Sequence, residues 1–246
     1  MKINSVQKVI DILRFKDKAF WDKQKMSFYK RFSSAKYRAC KYLQVCMAPE
    51  SHTKTILNMP KNSICIDCGS HAGDITEVFR QLGAYVYAFE PNADLINKQK
   101  ERFKGVSNVE LINKAVWDKY TTLELKALKQ NGNLNLGGSS ILKIDDSDEL
   151  KQEGLISNSV EVIDLIDFME KNIFARGKTV QILKLDVEGA EYEIIEKLLT
   201  SGAYKKIAHI FVETHARFFK DGAEKMKKIH KMIEDYKAEN IYLDWT

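Results

Sequence analysis

The chain has 246 residues, 44% hydrophobic and 30% charged, a balance that suits one large α/β domain or such a domain with a small extension. No apolar run approaches the roughly 20 residues of a membrane helix, and "MKINSVQKVIDILRFKDKAF" lacks the uninterrupted apolar core of a signal peptide, so a cytoplasmic protein is expected. The net charge of +5 is uneven: residues 1–60 carry 13 Lys and Arg against 4 Asp and Glu, net +9, and the remainder is net −4. That basic excess can face an anionic partner such as a nucleotide-linked substrate, a lipid head group or nucleic acid. A solvated helical face is the preferred reading, without membrane contact.

In chain order, residues 1–47 read as helices, with Ile3, Val6, Ile10 and Leu13 at helical spacing and Phe28, Phe32, Ala35 and Ala39 continuing it. Pro49 and Pro60 bracket an expected linker, so 1–60 forms a basic helical extension and 61–246 the main domain. From Ser63 short apolar strands alternate with amphipathic helices, the pattern of an α/β, doubly wound parallel sheet. Strands are expected at Ser63–Asp67, Ala84–Glu90, Val109–Asn113, Val180–Asp186 and Ile207–Glu213, with a last one in "NIYLDW". Helices are expected at Asp74–Leu82, after Pro91 with Leu95, Ile96 and Phe103 inward, over "GAEYEIIEKLL", and at Ala223–Lys237. Residues 117–160 break the rhythm with "TTLELKAL", "NGNLNLGGSS" and "DDSDELKQEG", read as an inserted hairpin and a mobile loop. "VEVIDLIDFMEK" then reads as a short strand leading into a helix.

Cys65 and Cys68 spell C-x-x-C, but Cys65 falls inside a strand and Cys68 just beyond it. With no second pair, neither zinc nor a disulfide is expected.

The stretch "SICIDCGSHAGDITEVF" carries the chemistry. Asp67 stands at the carboxyl end of the first strand, where doubly wound sheets bind ligands. Gly69 and Gly73 permit torsions and close approaches that a Cβ would block, and the next helix points its N-terminus at the site. The spacing is D-x-G-x-x-x-G, not the G-x-G-x-x-G of dinucleotide enzymes. An acid before the glycines suits an ammonium group and not a pyrophosphate, which favours S-adenosyl-L-methionine over NAD. Glu90, ending the second strand, is placed to take both ribose hydroxyls, and Pro91 turns the chain into the next helix. In "NKAVWD", small Ala115 and Val116 are candidates to pack against an adenine.

"IDCGSHAGD", "AFEPN", "NKAVWD", "GGSS", "VEVIDLIDF", "LKLDVEGAEYEII" and "IFVETH" occur in that order. From about Ser63 to the C-terminus the sequence resembles the FkbM family of S-adenosylmethionine-dependent methyltransferases. The resemblance implies a Rossmann-like methyltransferase fold and O-methylation of hydroxyls on sugars, glycolipids or polyketides, leaving S-adenosyl-L-homocysteine. By match it assigns Asp67, Gly69, Ser70, His71, Gly73 and Asp74 to the methionine part, His71 through its backbone, and Glu90, within the motif that continues through Pro91 and Asn92, to the ribose. The usual fold ends with two antiparallel strands after the last long helix; here only "NIYLDW" is visible, so one sheet edge is expected to be short.

Methyl transfer to an alcohol is an in-line displacement that also needs a proton removed. Asp186, Glu213 and His215, at or just past the ends of the fourth and fifth strands, are the expected catalytic residues, with His215 attractive as a base. Lys184 shares a strand face with Asp186 and is expected to pair with it. Glu188 and Glu191 also read as acids favouring a helix N-terminus. Asp186, Glu213 and His215 also make an oxygen/nitrogen set for Mg²⁺ or Mn²⁺, but their spacing does not fix ligand geometry and the metal-free reading is preferred. The loop 129–159, with Gly132, Gly137 and Gly138 as hinges and Ser139 and Ser140 as contacts, is a candidate lid.

The expected activity is O-methylation of a sugar hydroxyl in glycan, polysaccharide or glycolipid synthesis, with a hydroxyl-bearing small molecule or glycan as acceptor. RNA ribose or polyketide-like O-methylation and a non-catalytic cofactor-binding module are the alternatives. A DNA partner is not expected: Pro49, Pro60 and Pro91 are isolated, so neither the Pro-Pro-aromatic loop of amino-methylases nor a Pro-Cys nucleophile is present.

Overall fold

The computed structural model describes residues 50–130, 133–135 and 155–245. The helices read over 1–47, the Gly/Asn-rich hinges with Ser139 and Ser140, and the acidic stretch lie outside the described residues.

Six strands form a wholly parallel sheet: β1 (Ile64–Cys68), β2 (Tyr85–Phe89), β3 (Val109–Ile112), β8 (Val180–Leu185), β9 (Ile207–Val212) and β10 (Ile241–Tyr242), in the order β10-β9-β8-β1-β2-β3. The chain winds outward from β1 through β2 to β3, then returns to β8 on the other side of β1 and winds the opposite way. The switch point therefore lies between β1 and β8, as in a doubly wound sheet. Register pairs Asp67 with Lys184 and with Ala88, so the ends of β1, β8 and β2 arrive together.

Both faces are covered, which explains the near-continuous apolar strands. On one face Cys65, Val86, Ile182 and Phe211 pack with α1 (Glu50–Leu57) and α2 (Asp74–Gln81). On the other, Ile66, Cys68, Phe89, Leu183 and Leu185 pack with α4 (Leu165–Asn172), α5 (Glu191–Ser201) and α6 (Gly222–Asp235). Cys65 and Cys68, three apart on one strand, thus enter opposite cores; Cys68 is the last strand residue, not beyond it, and both thiols are free and buried. Burial pushes both thiols up, away from the reactive thiolate.

Two expectations are corrected. Between Pro49 and Pro60 lies helix α1, not a linker: Ile56 and Leu57 are buried with Phe79, Phe211 and Trp245, and His52 Nε2 meets Asp244 at 2.6 Å. The C-terminal edge is short, as expected, but parallel where the usual fold is antiparallel: β10 pairs with β9 over Ile241–Ile210 and Tyr242–Phe211, and Trp245 then donates its backbone N–H to the Val212 carbonyl.

The inserted hairpin is present and larger than expected. β5 (Thr121–Gln130) runs antiparallel to β7 (Leu155–Asp164) from Thr121–Val162 to Leu128–Leu155, and to β6 (Asn133–Asn135). The strand before α4 therefore has ten residues, not the short run around "VEVID". β4 (Ala115–Trp117) pairs parallel with its end and closes a second, four-stranded sheet. Asp164 ends β7 and caps α4, accepting from the N–H groups of Ile166 and Asp167.

Candidate active site

The site lies beyond the carboxyl ends of β1, β2, β8 and β9. Its first part is the turn after β1. Gly69, His71 and Gly73 all have positive φ, 75°, 49° and 82°, so the chain folds back tightly before α2 begins. Gly69 is held to β2 by its N–H on the Phe89 carbonyl. A Cβ on Gly69 would lie 1.8 Å from the Asp186 carbonyl oxygen, so the glycine lets the loop after β1 pack against the loop after β8. Gly69→Ala is expected to lower stability by at least about 1–3 kcal/mol, the cost of a side chain in that backbone region, with the clash added. Denaturant unfolding measures it, and an unchanged midpoint would mean the loops part freely.

α3 (Ala93–Arg102) straps this turn down. Gln99, fully buried, donates to Ser70 Oγ at 2.8 Å and to the His71 carbonyl at 2.7 Å. Arg102 donates to the Ala72 carbonyl and to Asp74 Oδ1, both at 2.7 Å. Ser70 and Asp74 therefore shape the turn through their side chains. Gln99 and Arg102 escaped the sequence reading because they lie on a helix surface that only the fold brings to the loop.

Glu90 joins two loops. Its Oε2 accepts the His71 N–H at 2.8 Å and its Oε1 the Asn92 N–H at 2.9 Å. Asn92 caps α3 with its own side chain, and Asn113 donates to the carbonyls of Glu90 and Pro91. Each Glu90 oxygen keeps a second lone pair for a hydroxyl donor. Burial pushes its carboxyl up to about 7, against the Asn92 and His71 N–H groups and Lys184, which favour the anion.

Ala115 and Val116 are not brought to this crevice. Both are buried within the protein: Ala115 packs with Val160 and Val162, and Val116 joins the main core, because β4 pairs with β7.

Lys184 is the centre of the second part. Its Nζ donates to the Gly69 carbonyl at 2.9 Å and stands 3.3 Å from Asp67 Oδ1 and 3.2 Å from Asp186 Oδ2. Burial alone would lower its pKa, but the Asp186 and Asp67 carboxylates carry it above the ordinary lysine value. The expected pairing with Asp186 is thus present. Asp67 is more enclosed than its sequence position suggested: it is wholly buried, and Thr76 donates to its Oδ2 at 2.7 Å.

The third part gathers Asp186, Glu188, Glu191, Glu213 and His215. Asp186 and Glu213 sit side by side because the Glu213 N–H bonds the Leu185 carbonyl and the Asp186 N–H the Cys68 carbonyl. Glu188 lies in a left-handed turn (φ 54°) before Gly189. Glu191, fully buried at the start of α5, accepts the Gly189 N–H at 2.8 Å and the His215 N–H at 2.7 Å. It therefore ties the loop after β8 to the loop after β9, a role that a helix-favouring acid does not predict.

His215 is also fully buried, stacked on Phe218. Its Nδ1 stands 3.4 Å from Glu191 Oε1, and its Nε2 faces Glu188, Glu213 and Asp186 at 3.5, 3.6 and 3.8 Å. Those three carboxylates are about a quarter exposed, so they stand between the ring and solvent. Burial would lower the His215 pKa, but Glu191, Glu188 and Asp186 raise it. Burial is the first cause raising both Glu188 and Glu213 and Asp186 adds to it, with His215 and Arg217 opposing.

The family profile described as "Methyltransferase FkbM domain" matches residues 67–239. Among solved structures, the chain is similar to the plantazolicin methyltransferase BpumL in complex with SAH, at 12% identity and a TM-score of 0.33 over 95% of this chain and 71% of that one, a likeness too slight to carry an argument. No curated protein matches the chain. Because the profile runs from Asp67, at the end of β1, to the residues just before β10, well over half of the sequence, the chain belongs to the FkbM family of methyltransferases.

Proposed function

We propose that the chain is an S-adenosyl-L-methionine-dependent O-methyltransferase acting on a sugar hydroxyl in glycan, polysaccharide or glycolipid assembly. One observation carries it: the Glu90 carboxylate just past β2 and a cluster of acids after β8 and β9 lie at the same end of one sheet. The residues suit the cofactor. Glu90 has a spare acceptor on each oxygen for the two ribose hydroxyls, and the excess of carboxylates suits a cation bearing ammonium and sulfonium groups. When bound, the cofactor supplies an activated methyl group.

An alcohol must lose its proton as it accepts a methyl group, whereas a neutral amine attacks with a free lone pair. The acid cluster therefore favours an oxygen acceptor. Asp186 and Glu213 reach solvent and are assigned the proton; burial raises Glu213 towards the working pH of a base. His215, walled off behind them, is assigned the role of orienting the carboxylates. Lys184 holds Asp186 in place through the oxygen that does not face His215.

Glu90→Gln is expected to weaken S-adenosylmethionine binding by about 1.5–3 kcal/mol, roughly ten- to a hundredfold, as a charged acceptor is lost. Calorimetry measures this, and an unchanged affinity would remove Glu90 from the ribose site. The wild type adds a pH signature. The ionised Glu90 is the form that accepts hydroxyls, so affinity should fall as pH drops through about 7 and level off above it. The decline should reach at most about tenfold per pH unit, the limit for one linked proton. The acceptor class is tested with labelled methyl transfer to nucleotide sugars and glycans, followed by mass spectrometry of the product.

A further inference from the structure

His215 has an environment that proton transfer does not explain. A fully buried imidazole normally satisfies both nitrogens. Here neither Nδ1 nor Nε2 makes a hydrogen bond, although three carboxylates surround Nε2. The distances, 3.5 Å to Glu188 Oε2, 3.6 Å to Glu213 Oε1 and 3.8 Å to Asp186 Oδ1, are long for hydrogen bonds. They are close to another spacing: ligand atoms about 2.1–2.2 Å from one cation stand about 3.0–3.6 Å from each other. One donor atom each from Asp186, Glu188 and His215 lies within 4.8 Å of the other two.

The surroundings complete the pattern. Glu191 Oε1 accepts the His215 backbone N–H and stands 3.4 Å from Nδ1 without a hydrogen bond to it, so a carboxylate lies behind the ring while Nε2 faces the cluster. Metal-bound histidines have a carboxylate at the second nitrogen, the side on which Glu191 stands here. Asp186 turns Oδ2 to Lys184 and Oδ1 to the cluster, so its pairing does not occupy the facing oxygen. Lys184, shared with Asp67, and Arg217, which acts on Glu188 and Glu213, are outnumbered by the carboxylates of Asp67, Asp186, Glu188, Glu191 and Glu213.

We propose that Asp186, Glu188 and His215, with Glu213 beside them, form a binding site for one divalent cation. Three carboxylates with a single imidazole suit Mn²⁺, a carboxylate-preferring ion, and the imidazole counts against Mg²⁺ and Ca²⁺, which take oxygen ligands. The cation lies where the acceptor hydroxyl is assigned to lose its proton, so the inference rests on the methyl-transfer reading for its purpose. It does not rest on that reading for its test.

The test is titration of the full-length, chelator-stripped protein with Mn²⁺ alone, followed by electron paramagnetic resonance. The expected result is one bound Mn²⁺ per chain, weakened at least tenfold in the isosteric Glu188→Gln variant. Binding of S-adenosylmethionine, measured separately with EDTA present, reports whether that variant is folded; if it is not, Asp186→Asn takes its place. No stoichiometric Mn²⁺ in the wild type, or equal binding by a folded variant, overturns the proposal. Absence of cofactor heat in the EDTA arm instead overturns the methyl-transfer reading, whatever the metal does.

Discussion

Lys184→Met is expected to destabilise the protein by about 3–5 kcal/mol, the range for breaking a buried ion pair by removing one partner. Lys184 is almost wholly buried and holds Asp67, Asp186 and the Gly69 carbonyl at once. Methionine fills similar space but leaves Asp67 with only Thr76 for its charge. The sign of the pH effect follows. Below the ordinary lysine value the cation is present in folded and unfolded chains, so the wild type keeps this stabilisation; it is lost only as pH rises through the raised folded value. In the variant, acid relieves the stranded carboxylates by protonating them. The gap between the two proteins should therefore narrow from pH 7 to pH 5 in denaturant unfolding. A gap that widens, or a variant as stable as the parent at pH 7, would show that Lys184 is not the keystone of this network.

Asp186→Asn should reduce methyl transfer by about 10²–10⁴-fold, the usual contribution of a positioned general base. S-adenosylmethionine affinity should change only a few-fold, because Glu90 and the turn after β1 are untouched. Asparagine keeps the size and one acceptor oxygen but cannot take the proton. Single-turnover rates measure the chemical step separately from product release. Glu213→Gln is the companion: whichever variant loses more marks the carboxylate that receives the proton. Two fully active single variants would move the base elsewhere.

Much of this site was legible because strand ends can be read from a sequence. Asp67, Glu90, Asp186 and Glu213 each close an apolar run, and a parallel sheet brings such ends to one edge whatever the helices do. What the sequence conceals is which side chains the loops enclose. Glu191 read as a helix-starting acid, since linear order marks where α5 begins and not that the His215 N–H turns back onto it. His215 looked like an accessible base; Phe218 and three carboxylates close over it only once β8 and β9 lie side by side. Ala115 and Val116 looked free for an adenine because their partner strand β7 lies more than forty residues on. α1 was missed for a similar reason. Two prolines suggest a linker, and the short apolar pattern around Ile56 gains its meaning from Phe211 and Trp245.

The contact between α1 and the C-terminal segment bears on synthesis. His52 reaches Asp244 across 192 positions, and Trp245 seals the core that Ile56 and Leu57 begin. A chain emerging from the ribosome can form β1 to β3 early, yet that face stays open until residues 241–245 clear the exit tunnel. Closing so distant a contact is slow relative to local pairing. Nascent chains with residues 241–245 missing or still inside the tunnel should thus remain protease-sensitive at α1, and chains in which those residues have emerged should be protected there.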